Sequence, residues 1–200
     1  MCMEYEDYEG VVAVKYSRYV ISNAFKIDIE FKEKFTNKFN MKRGVFVTLN
    51  EYPSKELRGC IGYPEPVLPL KNALKDSALN AAFEDPRFEP LRKDELDHIT
   101  IEVSLLTKPV KIDKKGEEIA KEIMVGRDGL IVTKGFYRGL LLPQVATEYH
   151  WDVEEFLGQT CIKAGLSPGK WKEEGVIVEK FSAEIFYEIS PNGKIVRHRL

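Results

Sequence analysis

The chain has little that could staple or anchor it. Three cysteines in 200 residues, at positions 2, 60 and 161, form neither an even disulfide set nor a metal-binding spacing. No apolar run is long enough to suggest a membrane span, and no leader pattern opens the sequence. A reducing cytoplasm is therefore the expected home. No charge of one sign dominates: 30 basic residues stand against 32 acidic ones, a net charge of −2. That balance argues against a duplex-DNA binder, whose affinity rests on many cationic contacts to phosphate. Also missing are the phosphate-loop, serine-elbow, HExxH and CxxC patterns, so neither a metal nor a cofactor is called for.

What remains is ordinary globular material, 44% hydrophobic and 11% aromatic. A chain this long buries about 70% of its unfolded surface and needs no staple. Charged residues reach 31%, a load of both signs typical of ion-pair-laced proteins from hot environments.

One feature organises the chain. Arg-Gly occurs twice, in Leu57-Arg58-Gly59-Cys60-Ile61-Gly62 and in Tyr137-Arg138-Gly139-Leu140-Leu141-Leu142. Each follows an apolar run opening at a glycine, Gly44 and Gly129, and each precedes a helical pattern, a proline and a strand. Pro86 and Glu102 find counterparts in Pro168 and Glu184 at a similar offset. The expected fold is α+β: one domain over 1–200 carrying an internally duplicated β-α-β-β repeat, about 44–106 and 129–189, on a largely antiparallel sheet. A helical extension over 8–25 precedes it.

Local patterns fill in the elements. Leu70, Ala73, Leu74, Ser77, Ala78, Ala81 and Ala82 follow helical spacing. Ile99, Ile101, Val103 and Leu105 alternate with Glu102 and Ser104 as a half-buried strand does. Asp152 and Glu155 make a capping pair. Val176–Phe181 and Ala183–Ile189 read as two strands, the second with Ala183, Ile185, Tyr187 and Ile189 on one face. Phe46, Phe88 and Phe136 suit a core better than a base-stacking surface. Lys194, Arg197, His198 and Arg199 read as a solvated basic tail.

Chemistry concentrates at the first Arg-Gly. Cys60 is the candidate nucleophile, with Arg58 beside it to favour thiolate; the alternative is a buried structural cysteine. A bulge at Gly59 would decide whether Arg58 and Cys60 share a face. Arg58 and Arg138 either present a fork to an anion or form ion pairs, with Glu102 or Glu184 as partners. Asp85 and Arg87 either close a helix end or line a cleft. Gln144, Glu148 and His150 follow the second copy, and His150 is the obvious proton carrier.

Leu57–Gly62 resembles the hexapeptide signature of the AMMECR family. Arg43–Leu49, Asp85–Phe88, Glu102–Leu106, Gly126–Leu130, Arg138–Ala146 and Trp151-Asp152 ahead of Phe156-Leu157 resemble that family in the same order. The resemblance implies a duplicated domain with a cleft near the hexapeptide. It also implies a place in a modification system beside Memo-type and radical-SAM proteins. By motif it carries over Arg58, Gly59, Cys60, Asp85 and Arg87, but not His150, and it names no reaction. The leading expectation is a small anionic ligand, or a partner's segment, bound near Arg58, Gly59, Cys60, Ile61, Gly62, Asp85, Arg87 and Gln144. The rival is a non-enzymatic interaction or regulatory module.

Overall fold

The computed structural model describes residues 4–198; Cys2 and Arg199 lie outside them. Two compact units divide the chain. One runs to Leu106 and takes it up again from Glu184; the other spans Thr107–Ala183.

The first unit holds helix α1 (Asp7–Ala24), strands β1 (Val45–Glu51) and β2 (Leu57–Tyr63), helix α2 (Leu70–Phe83) and strand β3 (Ile99–Leu106). It also takes the last residues of β7 (Ile177–Glu188), and β8 (Ile195–Arg197). The strand order is β2-β1-β3-β7, with β8 on β7 and antiparallel pairing of β1 with both β2 and β3. Alternation splits this sheet into two faces. Val45, Val47, Leu49, Ile101, Val103 and Leu105 point into the core, against the stripe of α2. All seven α2 positions picked out by periodicity are buried. Phe46, Thr48, Cys60, Glu102 and Ser104 alternate onto the opposite face and are only partly buried.

Two glycines set how closely β2 can be approached. A Cβ on Gly59 would lie 2.2 Å from the Ala81 carbonyl oxygen of α2, and one on Gly62 would lie 2.3 Å from the Val45 carbonyl oxygen. Backbone faces backbone at both places, so no side chain can swing aside. Gly59→Ala is expected to destabilise the protein by about 1–3 kcal/mol through overpacking, read as a lower urea midpoint with unchanged slope.

The second unit holds β4 (Val110–Lys111), β5 (Asp128–Lys134), β6 (Tyr137–Leu141), α3 (Pro143–Glu148), α4 (Val153–Lys163) and the first residues of β7. Strand β5 pairs antiparallel with β6 and β7, and β4 pairs with β7. Asp152 caps α4 by accepting the Glu155 N–H at 2.8 Å, while Glu155 accepts the Asp152 N–H at 3.0 Å. The core gathers Leu130, Val132, Phe156, Leu157, Cys161, Trp171 and Val178.

The fold is thus α+β, with antiparallel strand pairing and an N-terminal helix. Each unit follows two hairpin strands with a helix and a third strand, and each keeps the first strand central. The registers do not reproduce the residue equivalences read from the sequence. Glu102 sits opposite Thr48, whereas the pairing of β5 with β7 runs from Thr133 opposite Ile177 to Asp128 opposite Ser182, short of Glu184. The parallel is one of element order.

Other expectations need correction. The two expected strands after Val176 are one, β7, unbroken at Ser182. Ile185 and Tyr187 do share a face, a partly buried one; Phe186 and Glu188 are buried on the other, where Arg18 holds the Glu188 carboxylate. Phe136 is fully exposed at the β5–β6 turn, and Phe46 and Phe88 are only partly buried. Arg197 is no free tail: its guanidinium meets Asp7 at 2.8 Å and Glu184, and donates to the Tyr5 carbonyl at 2.7 Å.

Candidate functional site around Cys60

Strand β2 is an edge strand, and unpaired edge amides and carbonyls need partners. At Cys60 these come from side chains. The Cys60 N–H donates to Asp85 Oδ2 at 2.8 Å, and Arg87 Nη2 donates to the Cys60 carbonyl at 3.2 Å. Arg87 grips the same carboxylate in turn, with Nε at 2.9 Å from Oδ1 and Nη2 at 2.7 Å from Oδ2. Its own backbone N–H adds a bond to Oδ1 at 3.1 Å. Asp85 is buried, directly after α2, where Pro86 disfavours further helix. The Arg87 guanidinium, helped by these two backbone N–H groups, holds the Asp85 carboxyl well below the usual carboxylate range. The helix-end reading of this pair holds: it is an ion pair just past α2, and it also fixes the Cys60 backbone.

Because the Cys60 amide points away from β1, Cys60 and Thr48 form a non-hydrogen-bonded pair, the kind with the closer side chains. The Thr48 hydroxyl accordingly donates to Cys60 Sγ at 3.3 Å. Thr48 in turn stands opposite Glu102. Cys60, Thr48 and Glu102 thus form a row across three neighbouring strands. Among the described residues, Glu102 has no hydrogen bond or ion pair. Burial pushes its carboxyl upward, with His198 pulling weakly the other way.

The expected role of Arg58 does not hold. A register shift between Leu49 and Asn50 leaves Arg58 as the extra residue of a bulge, so the irregularity falls one residue before Gly59. Its guanidinium turns to Glu95, with Nε at 2.8 Å and Nη2 at 3.2 Å from the two carboxylate oxygens. It is buried in that pair and has no charge to lend Cys60. Burial raises the Cys60 thiol above its ordinary value, against lowering by the Thr48 hydroxyl and then Arg87. The thiol therefore rests protonated. The ion-pair reading of both arginines is right in kind, with other partners: Arg58 takes Glu95, and Arg138 lies 3.6 Å from Glu179.

Ile61 packs on the core of the first unit, and Gly62 lets the β1 backbone come close. Gln144 lies exposed on α3 of the second unit, and His150 is exposed two residues beyond that helix with φ of 55°. Sequence reasoning did not pick Thr48 or assign Glu102 to the Cys60 row. Alternation had put Glu102 on the outer face of its strand; only the pairing register could add its neighbours.

The AMMECR1 family model matches residues 14–186. A Methanocaldococcus jannaschii protein, MJ0810, is 51% identical over 194 residues, 96% of each chain. Pyrococcus horikoshii protein PH0010 is 47% identical over 205 residues, all of each chain. The crystal structure of the Pyrococcus horikoshii protein, titled uncharacterized, matches with a TM-score of 0.76 at 46% identity over 98% of each chain. With the hexapeptide on β2, the clamp after α2 and a family match spanning most of its length, this chain belongs to the AMMECR1 family.

Proposed function

We propose that the protein is a binding module whose site is the outer face of β1–β3 around Cys60. It takes a small polar molecule or a segment of a partner, within a modification system that includes Memo-type and radical-SAM proteins. One observation carries this reading. Asp85 and Arg87 pin both backbone polar groups of Cys60, so the backbone that carries the thiol is fixed while Arg87 stays half exposed beside it. Pinned groups on an exposed face favour recognition, since little conformational freedom is left to lose on binding. A protonated thiol supports binding over a standing nucleophile. The expected ligand at Arg58 moves to the Arg87 side, because the Arg58 fork is already filled by Glu95.

The test pairs two measurements on the full chain. Alkylation of Cys60 by iodoacetamide, followed by peptide mass mapping, is expected to stay slow through neutral pH and to rise only in alkaline solution. Calorimetric binding to a purified Memo-type protein is expected to weaken about tenfold in Arg87→Ala, the loss of roughly one charge-assisted contact. Cys60→Ser should bind within about twofold of the parent. Fast alkylation at neutral pH, with binding lost only in the serine variant, would make the protein a thiol enzyme instead.

A further inference from the structure

Resting on that site, a narrower inference concerns the chemistry of its ligand. We infer that the Thr48–Glu102 part of the row is a seat for a primary ammonium group. The argument starts from donors and acceptors. The Thr48 hydroxyl spends its proton on Cys60 Sγ, so toward any further group its oxygen can act only as an acceptor. The neighbouring Glu102 carboxyl, directly across the pairing of β1 with β3, has no hydrogen bond or ion pair among the described residues. Two acceptors side by side suit a group that offers several donors and accepts none, and an ammonium offers three.

Charge points the same way. Near Cys60, Asp85 is paired with Arg87 and Arg58 with Glu95. Glu102 is the unbalanced one, and His198, the residue after β8, is exposed and makes no ion pair with it. A half-buried carboxylate without a partner is costly, and most proteins satisfy or remove such a group. Retaining it makes sense where the compensating cation arrives with the ligand and forms a charge-assisted hydrogen bond to the carboxylate. An anionic ligand meets repulsion at the same place.

The ammonium can come from a free small amine or from a lysine side chain of a partner, and the experiment separates them. The probes are n-butylammonium chloride, a capped tripeptide with one central lysine, and sodium acetate at equal ionic strength. The readout is protection of Cys60 from iodoacetamide at fixed pH. Protection by n-butylammonium but not by acetate is expected. Stronger protection by the lysine peptide assigns the partner source; equal protection assigns a free amine. Glu102→Gln should weaken protection about tenfold, as loss of a charge-assisted hydrogen bond does. Its thermal midpoint should match or exceed the parent's, because an unpaired buried charge is removed. Equal protection by acetate, or unchanged protection in Glu102→Gln, overturns the inference. The broader binding reading would still stand if Arg87→Ala had lost the Memo-type protein.

Discussion

Asp85→Ala is expected to cost about 2–3 kcal/mol, because a buried edge amide loses its acceptor while the half-exposed Arg87 turns to water. The carboxylate is nearly inaccessible and receives four contacts: the N–H groups of Cys60 and Arg87, and two from the Arg87 guanidinium. Alanine leaves the edge amide at Cys60 without an acceptor and the Arg87 guanidinium without its anion. Asp85→Asn keeps the shape but loses the charge, and its amide nitrogen meets a donor on one side, so an intermediate loss is expected. Urea denaturation measures both. The pH dependence follows by sign. The folded carboxyl lies below its unfolded value, near 3.9, so it binds fewer protons folded than unfolded across that interval. Its stabilisation is complete above the unfolded value and fades as pH falls toward the lower folded one. The parent should lose its advantage over Asp85→Asn in acid; a constant difference from neutral pH to pH 2 would remove the clamp from the account.

The second large effect lies across the core of the same unit. Arg18 of α1 is buried, and its Nε reaches Glu188 Oε1 at 3.2 Å while Nη2 meets Oε2. The guanidinium also donates to the carbonyls of Leu96 at 2.9 Å and Ile99 at 2.8 Å, and Glu188 accepts the Ile101 N–H at 3.0 Å. These bonds tie α1 to the approach to β3 and to the end of β7. Arg18→Met is expected to cost about 3–5 kcal/mol, because Glu188 is left charged and unpaired. Adding Glu188→Leu should recover part of that loss, since a packed apolar pair carries no stranded charge. Recovery stays partial because two carbonyls and one amide lose their partners as well. A double variant no more stable than Arg18→Met, in thermal or urea unfolding, would mean that the stranded carboxylate is not what costs.

Periodicity was a sound guide where one face of an element meets a continuous apolar surface. The α2 stripe, the α4 cap and the inner residues of β3 are cases, because a period of 3.6 or 2 needs only the local chain to be read. On β7 it gave the two faces but not which one is buried, because that is set by what lies opposite. Phe186 enters the core and Glu188 is drawn in by Arg18, some 170 residues away in sequence. Alternation of hydrophobicity cannot register an inward-facing carboxylate whose partner is so distant.

The hexapeptide and the Asp85–Phe88 motif marked out a candidate site from residue identities alone, and the resemblance named the family that the family model then matched. What those identities could not contain was the direction of each charge. Arg58 stands two positions from Cys60 in sequence yet turns to Glu95, because a bulge rotates it out of the row. Arg87 stands far from Cys60 in sequence yet holds its carbonyl, because the free edge of β2 lies beside the end of α2. Local order along a chain determines which groups are on hand and which faces they can occupy. Partners for charge and for unpaired backbone are decided only when strands align and helices end, since hydrogen bonds act over about 3 Å and take no account of sequence distance.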